Sequence, residues 1–204
     1  MSAPAANLTR DDDSPVGDQF VTLRASWTDY LRILKMRGDH SAPRITYHEG
    51  VVEIMSPSDT HEAIKSTIGC LVEAYCLHTG RDFKTVGSWT LKDKAKQAGA
   101  EPDECWIFTE GPASRPHLAI EVIWTSGGLD KLEVYRKLGV AEVWVWRKGR
   151  ISAWILRGDE YVQAPRSEAL PGIDLVELAS FVDRPMTSQS VREYTAALEA
   201  RAAL

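Results

Sequence analysis

Apolar side chains recur at helical spacing in the segment between Asp59 and Gly80. They stand three or four residues apart, which places them on one face of an α-helix: Ile64, Ile68, Leu71, Val72 and Tyr75. Asp59 and Glu62 have the spacing of a capping box, and glycine is common just after a helix C-terminus. The pattern therefore predicts a long helix that begins at Asp59 and is closed by Gly80.

Shorter patterns predict the remaining elements. Apolar runs between turn residues predict strands at 44–55 (a pair turning at Glu49-Gly50), 84–91, 103–109, 117–124, 142–147 and 151–156, the last two joined at Lys148-Gly149. Capping residues and helical spacing predict further helices at 26–38, 128–138 and 188–203. Helices interspersed with strands predict an α/β fold class, with a mixed β-sheet flanked by helices.

The composition divides the chain once. Residues 1–19 are rich in Ala, Pro and Ser and carry three consecutive aspartates, which is typical of a disordered tail. Residues 20–204 contain no internal repeat and no long linker, so we expect a single domain. That length is enough for a hydrophobic core without disulfides.

Composition also limits the class of protein. The hydrophobic fraction of 44% and the charged fraction of 26% are ordinary for a soluble protein. No segment has the roughly 18 apolar residues of a membrane span, and the N-terminus lacks a secretory pattern. We therefore expect a cytoplasmic protein with no membrane partner. Cys70, Cys76 and Cys105 form no C-x-x-C pair, so we expect reduced thiols rather than disulfides or a zinc site.

Glu121 stands in an apolar run from Leu118 to Trp124, in which the other six residues are all apolar. Such a run is typical of a strand buried on both faces. An ionised carboxylate there is costly unless it is paired, hydrogen-bonded or bound to a cation. Glu121 is therefore a candidate metal ligand. The alternatives are a structural salt bridge and a position at the strand edge.

A second carboxylate, Asp103, follows Pro102 at the start of another predicted strand. Proline cannot donate to a sheet ladder, so it marks where the strand begins. If this strand neighbours that of Glu121, both carboxylates reach one point. Hard oxygen ligands of this kind suit Mg²⁺ or Mn²⁺. The alternative is that Asp103 is only a turn residue.

Lys131 and His61 lie on the apolar faces of their predicted helices, each near the helix start. Lys131 could orient an attacking water or stabilise negative charge on a phosphate. The alternative for Lys131 is a side chain that extends to solvent. For His61, the alternative to a site residue is a hydrogen-bonded histidine of the core.

These residues belong to a longer set of motifs that resembles the Uma2 family of restriction endonucleases, within the PD-(D/E)XK nuclease superfamily. The motifs follow the family's order and spacing between about 45 and 156. They are Tyr47-His48-Glu49-Gly50, Val52-Glu53-Ile54-Met55-Ser56-Pro57, His61, Glu101-Pro102-Asp103, Leu118-Ala119-Ile120-Glu121-Val122, Asp130-Lys131, Tyr135 and Gly139-Val140-Ala141-Glu142-Val143-Trp144.

The resemblance implies a restriction-endonuclease-like core in which Asp103 and Glu121 are ligands of Mg²⁺ or Mn²⁺. The superfamily pattern has a lysine two residues after the second carboxylate, where this chain has Ile123. Lys131, from the following helix, would then supply the positive charge. His61 and Glu53 are second-tier candidates for the ligand set or its surroundings.

The sequence thus predicts a Mg²⁺-dependent endonuclease that hydrolyses DNA phosphodiester bonds, with a homodimer left open. One alternative is a catalytically weak or inactive nuclease-fold protein that acts as a nucleic-acid or protein interaction module. The formal net charge of −5 and Ile123 favour this module. A second alternative is a hydrolase of another phosphoester. Three aromatic residues could form a partner surface or belong to the core: Trp144, Trp146 and Trp154.

Overall fold

The structure is a computed structural model that describes residues 17–123 and 129–202. Its strands are β1 (Gln19–Arg24), β2 (Arg44–His48), β3 (Val51–Ser56), β4 (Lys84–Thr85), β5 (Leu91–Asp93), β6 (Ala98–Ala100), β7 (Glu104–Ile107), β8 (Leu118–Val122), β9 (Glu142–Arg147), β10 (Arg150–Arg157) and β11 (Glu160–Ala164). Its helices are α1 (Trp27–Arg37), α2 (Asp59–Thr79), α3 (Lys131–Leu138), α4 (Leu175–Ser180) and α5 (Thr187–Ala202).

The strands form two sheets. The five-stranded sheet has the order β1-β3-β2-β6-β5 and is antiparallel throughout. The six-stranded sheet has the order β11-β10-β9-β8-β7-β4 and is mixed, because β8 and β9 run parallel. The predicted α/β class with a mixed sheet flanked by helices is therefore confirmed, and the architecture is consistent with a restriction-endonuclease-like fold. The separate antiparallel sheet was not predicted.

Strand β8 lies at the centre of the mixed sheet and is buried along its whole length. Leu118, Ile120 and Val122 pack into the core cluster that contains residues of α2 and α5. Ala119 points the other way, into the cluster that contains Val134 and Tyr135 of α3. Because successive side chains of a strand alternate between its two faces, Glu121 belongs to the side of α3.

The ends of α2 and the turn between β9 and β10 follow from local sequence. Helix α2 ends at Gly80 as predicted, but its N-cap is Ser58 rather than Asp59, which is already helical. Ser58 has extended backbone angles, and its hydroxyl accepts a hydrogen bond from the His61 backbone N–H, which explains the earlier cap. The turn between β9 and β10 has positive φ at both Lys148 and Gly149, as a tight hairpin turn requires.

Several predictions concern the ends of elements. Most of the predicted tail, residues 1–16, lies outside the described residues, as do Trp124 and residues 125–128. Gln19, by contrast, already belongs to β1. Trp144 and Trp146 are buried in the core, so they do not form a partner surface. None of the described helices has the length and apolar character needed to cross a membrane.

Candidate functional site

A cavity of about 400 Å³ brings together residues from both sheets and from the start of α3. Glu53 reaches it from β3, Glu121 from β8, and Lys131 from the first turn of α3. Three of the five site residues predicted from the sequence therefore line one cavity. The other charged residues of its wall are Asp18, Asp130 and Arg147.

Glu121 is 4% exposed and accepts a hydrogen bond from the Tyr135 hydroxyl. Burial removes the carboxyl from water and raises the pKa of Glu121 to about 7, although the positive charge of Lys131 acts to lower it. The negative charge of Asp103 adds to the increase. The Glu121 carboxyl therefore titrates near neutral pH, and a cation placed beside it would favour its ionised form.

Lys131 points into the protein, as its position on the apolar face of α3 predicted. Its Nζ donates to Thr46 Oγ1 at 2.6 Å and lies 3.9 Å from Glu53 Oε1. The side chain is 14% exposed, so it does not extend to solvent. Asp130 caps the helix immediately before Lys131, which fixes the direction in which the lysine leaves the first turn.

Glu53 links the antiparallel sheet to the segment that enters α3. Its Oε2 accepts a hydrogen bond from the Leu129 backbone N–H at 2.6 Å, and its side chain is 1% exposed. With Lys131 near its other oxygen, Glu53 satisfies two groups of the same segment. It therefore stands beside the cavity as a buried carboxylate that also positions Lys131.

Asp103 immediately precedes β7, the strand next to that of Glu121, as predicted. Glu104 pairs with Ile120 in the antiparallel register of β7 and β8, and continuing this register by one residue puts Asp103 opposite Glu121. Asp103 Oδ2 accepts a hydrogen bond from the Val122 backbone N–H at 2.8 Å. The two residues therefore lie opposite each other at the same end of the mixed sheet, although Asp103 is not among the residues that line the cavity.

Both oxygens of Asp103 also face positive charge. Arg44 Nε donates a hydrogen bond to Asp103 Oδ1 at 2.8 Å. His61 Nε2 lies 3.0 Å from Asp103 Oδ2, which is ion-pair distance, but the geometry is not that of a hydrogen bond. Burial by itself would raise the pKa of Asp103, but His61 and Arg44 outweigh it and hold that pKa at about 2. Asp103 is thus fully ionised at neutral pH.

His61 is held between two acids rather than facing the cavity. Its Nδ1 lies 3.0 Å from Asp18 Oδ2, and Asp18 Oδ1 accepts from the Ser58 backbone N–H at 2.9 Å. Burial lowers the pKa of His61, but Asp103 and Asp18 raise it more, to about 9. Arg44, Asp103, His61 and Asp18 therefore form a buried row of alternating charge that joins four parts of the chain.

Sequence reasoning missed Arg44 and Asp18. Arg44 is the first residue of β2, a strand whose first four residues are buried, and it is only 2% exposed. A charged residue at the head of a buried run was the available signal, and it parallels the argument made for Glu121. Asp18 gave no such signal, because it lies in the segment whose composition predicted a tail.

The carboxylates present fit a divalent cation by their donor chemistry. Glu121, Asp103 and Glu53 offer hard oxygen atoms, and Mg²⁺ binds proteins through one or two carboxylates while water and substrate phosphates complete its octahedron. Across residues 17–123 and 129–202, no three His, Cys, Asp or Glu side chains converge closely enough to enclose an ion. The arrangement suits an open site of this kind, in which an ion at Asp103 competes with Arg44 for Oδ1.

The comparisons with known proteins agree with these motifs. The model of the Uma2 family, described as "Putative restriction endonuclease", matches residues 27–183. The matched range includes Glu53, Asp103, Glu121 and Lys131. No curated protein matches the chain significantly. Because the family model covers well over half of the sequence, the chain belongs to the Uma2 family.

Proposed function

We propose that this protein is a Mg²⁺- or Mn²⁺-dependent endonuclease that hydrolyses DNA phosphodiester bonds in the cavity lined by Glu53, Glu121 and Lys131. The observation that carries the proposal is that Glu121 and Lys131 line one cavity, with Asp103 at the start of the neighbouring strand, hydrogen-bonded to the Val122 N–H. Membership of a restriction endonuclease family supports it.

The charge of the cavity supports a requirement for a cation. Asp18, Asp130, Glu53 and Glu121 all line it, whereas its cationic residues are Lys131 and Arg147. Asp18 is offset by His61, Asp130 caps α3, and Glu53 lies 3.9 Å from Lys131. Among the described residues, this leaves Glu121 as the acid of the cavity wall that forms no ion pair. A phosphodiester would be repelled by these carboxylates unless a bound cation balanced them.

Each residue has a proposed role. Asp103 and Glu121 would hold the ion, which when bound would lower the pKa of a water ligand and offset the charge of the scissile phosphate. Tyr135 orients the Glu121 carboxylate through its hydrogen bond. Lys131, fixed by Thr46, presents its ammonium group to the attacking water or to the negative charge that develops on the phosphate. Glu53 and His61 position these groups.

Lys131 would supply the positive charge that, in the superfamily pattern, comes from a lysine two residues after the second carboxylate. Ile123 stands at that strand position and lines the cavity with an apolar side chain. Lys131 reaches the same cavity from α3. The positive charge is therefore supplied from the neighbouring element, which is compatible with catalysis if the ammonium group lies within reach of the phosphate.

A second candidate function is an interaction module with weak or no catalysis. The observation that favours it is the buried contact of Arg44 with Asp103, which gives this carboxylate a structural partner of its own. If Asp103 serves only that ion pair, the strand carboxylates left to the cavity are Glu121 and Glu53, and Glu53 is already engaged by Lys131 and the Leu129 N–H. Such a protein could bind nucleic acid and leave it intact.

Incubation of supercoiled plasmid with Mg²⁺, Mn²⁺ or EDTA tests the proposal. We expect cutting with either metal, none with EDTA, and a loss of at least about 100-fold in Glu121→Gln and Lys131→Met. Lys137→Met is the matched control and should cut normally, because Lys137 is a similarly half-buried lysine of the same helix that pairs with Glu49 and does not line the cavity. Thermal unfolding of each variant separates lost chemistry from lost folding, which is needed above all for Asp103→Asn.

Two outcomes would overturn the proposal. Cutting that persists in EDTA or in folded Glu121→Gln would exclude the metal site. DNA binding by the folded wild-type protein without cutting under any metal would support the interaction module instead.

A further inference from the structure

The hairpin between β9 and β10 carries three cations beside the cavity. Arg147 ends β9, Lys148 lies in the turn, and Arg150 begins β10, and all three are exposed. Arg147 and Arg150 are direct partners across the hairpin. Like charges directly opposite each other destabilise an antiparallel pair, so folding alone does not favour this arrangement.

Several other arginines near the protein surface are matched by acids. Arg136 pairs with Glu133, Arg157 with Glu168, and Arg184 with Glu193. In the part of the chain that the structure describes, no ion pair involves Arg147, Lys148 or Arg150. On a protein with a formal net charge of −5, the hairpin is thus a local concentration of uncompensated positive charge.

The strand register connects these arginines to the proposed catalytic carboxylate. Glu121 pairs with Val145 of β9, and Val145 pairs with Ser152 of β10. Paired residues project from the same face, as do residues two apart on one strand. Arg147 therefore shares a face with Glu121, one strand across and two residues along, which is about 8 Å between Cα atoms.

An aromatic side chain completes this face. Trp154 lies two residues beyond Ser152 on β10 and is half-buried, and both line the same cavity as Glu121 and Arg147. A cationic groove that holds the backbone, together with an aromatic ring on which a base can stack, is a common way to bind a nucleic-acid strand. Arg147 and Trp154 present both features on one side of the cavity.

We infer that the face formed by Arg147, Arg150 and Trp154 holds the DNA strand next to the scissile bond. The two guanidinium groups bind phosphates that flank the reacting one, Lys148 adds charge at the turn, and Trp154 stacks against a neighbouring base. This inference rests on the proposed nuclease function, since it assigns the reacting phosphate to the end of the face marked by Glu121.

Binding of labelled single-stranded and duplex DNA, followed by fluorescence anisotropy in EDTA and in Ca²⁺, tests this face without cutting. We compare a double arginine variant, Arg147→Gln/Arg150→Gln, with a double lysine variant, Lys94→Gln/Lys96→Gln. The lysine variant removes the same amount of charge from the exposed turn between β5 and β6. The arginine variant should bind at least about 10-fold more weakly at low salt. Its slope of log K against log salt should fall by roughly 1.4 to 1.8, for two lost phosphate contacts.

Two further readouts identify the role of the face. Trp154→Leu should weaken binding about five-fold or more with an unchanged salt slope, because stacking is not an ionic contact. The arginine variant should be at least as stable to heat as the wild type, because a repulsive pair is removed. Lower affinity with unchanged or higher stability is the signature of a binding site rather than a structural one.

The outcomes separate this inference from the nuclease proposal. If the arginine and lysine variants bind DNA equally, or if the wild type does not bind DNA, the inference is wrong. If the arginine variant alone loses binding while the wild type cuts no DNA with Mg²⁺ or Mn²⁺, the binding face stands and the nuclease proposal falls.

Discussion

Arg44 and Asp103 form an ion pair in the interior of the protein, with Arg44 Nε 2.8 Å from Asp103 Oδ1 and neither side chain more than 2% exposed. Breaking a buried pair by removing one partner leaves an uncompensated charge, which costs about 3–5 kcal/mol. We therefore expect Arg44→Met to lower the free energy of unfolding by about this amount. Chemical denaturation in EDTA measures it.

A double-mutant cycle isolates the pair. In Asp103→Asn the charge is gone, so adding Arg44→Met should cost clearly less than it does alone. Additive losses would mean that the contact contributes little. If an ion and Arg44 compete for Asp103 Oδ1, Mn²⁺ should restore more stability to Arg44→Met than it adds to the wild type.

The charge of His61 should make stability depend on pH between 7 and 9. Its pKa of about 9 in the folded protein lies above the ordinary histidine pKa of 6.5. The stabilisation is therefore fully present below pH 6.5 and is lost as pH rises through 9. From these values the loss between pH 7 and pH 9 is up to about 2 kcal/mol. The raised pKa of Glu121 acts below this window, between 4.5 and about 7.

Denaturation curves at pH 7, 8 and 9 in EDTA measure this loss. His61→Gln should flatten the dependence, and His78→Gln, at an exposed position of the same helix, should leave it unchanged. A wild-type protein with equal stability across the window would show that Asp18 and Asp103 do not hold a proton on His61.

Site residues could be predicted from the sequence where a charged side chain stands among apolar ones. Glu121 could be identified because a single carboxylate interrupts an apolar run, and the direction of Lys131 followed from helical periodicity. Both features are local. The two charges face the same cavity because a central strand and an amphipathic helix have few ways to bury their apolar residues.

What escaped prediction depends on contacts between distant parts of the chain. Arg44 meets Asp103 across 59 positions of sequence, and Asp18 meets His61 across 43. Strands β5 and β6 have three residues each, too few for a period to be recognised. The antiparallel sheet was missed for this reason, and also because β1 is exposed along its whole length.

Gly99 is required by the packing of Tyr30. A Cβ on Gly99 would lie 2.3 Å from the Tyr30 hydroxyl oxygen, and Tyr30 is fully buried and stacked on Tyr47 with ring centroids 5.2 Å apart. The ring therefore has little room to move, and Gly99→Ala should lower the free energy of unfolding by about 1–3 kcal/mol.

The control for this change is Gly69→Ala in α2. There the nearest atom, Glu104 Cγ, would be at 3.7 Å, which is ordinary contact. Alanine is favoured over glycine in a helix by roughly 0.5–1 kcal/mol, so this variant should unfold at the same or a higher denaturant concentration than wild type. Equal losses in both variants would exclude Tyr30 as the cause.

Tyr135 should govern how well Glu121 binds a divalent ion. Its buried hydroxyl donates to Glu121 Oε1, and a hydrogen bond to a charged group contributes roughly 1.5–3 kcal/mol. Tyr135→Phe leaves the ring in place and frees the carboxylate to turn away from the ion. We expect about a 10-fold increase in the Mn²⁺ concentration needed for half-maximal cutting.

Tyr161→Phe is the matched control, because its hydroxyl donates to the Val140 carbonyl at 2.6 Å within the same core cluster. Both variants lose one tyrosine hydrogen bond, so general destabilisation affects them alike, and only Tyr135→Phe should bind Mn²⁺ more weakly in a calorimetric titration. Because the titration does not depend on cutting, equal Mn²⁺ affinities in the two variants would rule out Tyr135 as the residue that orients Glu121, even if both cut DNA slowly.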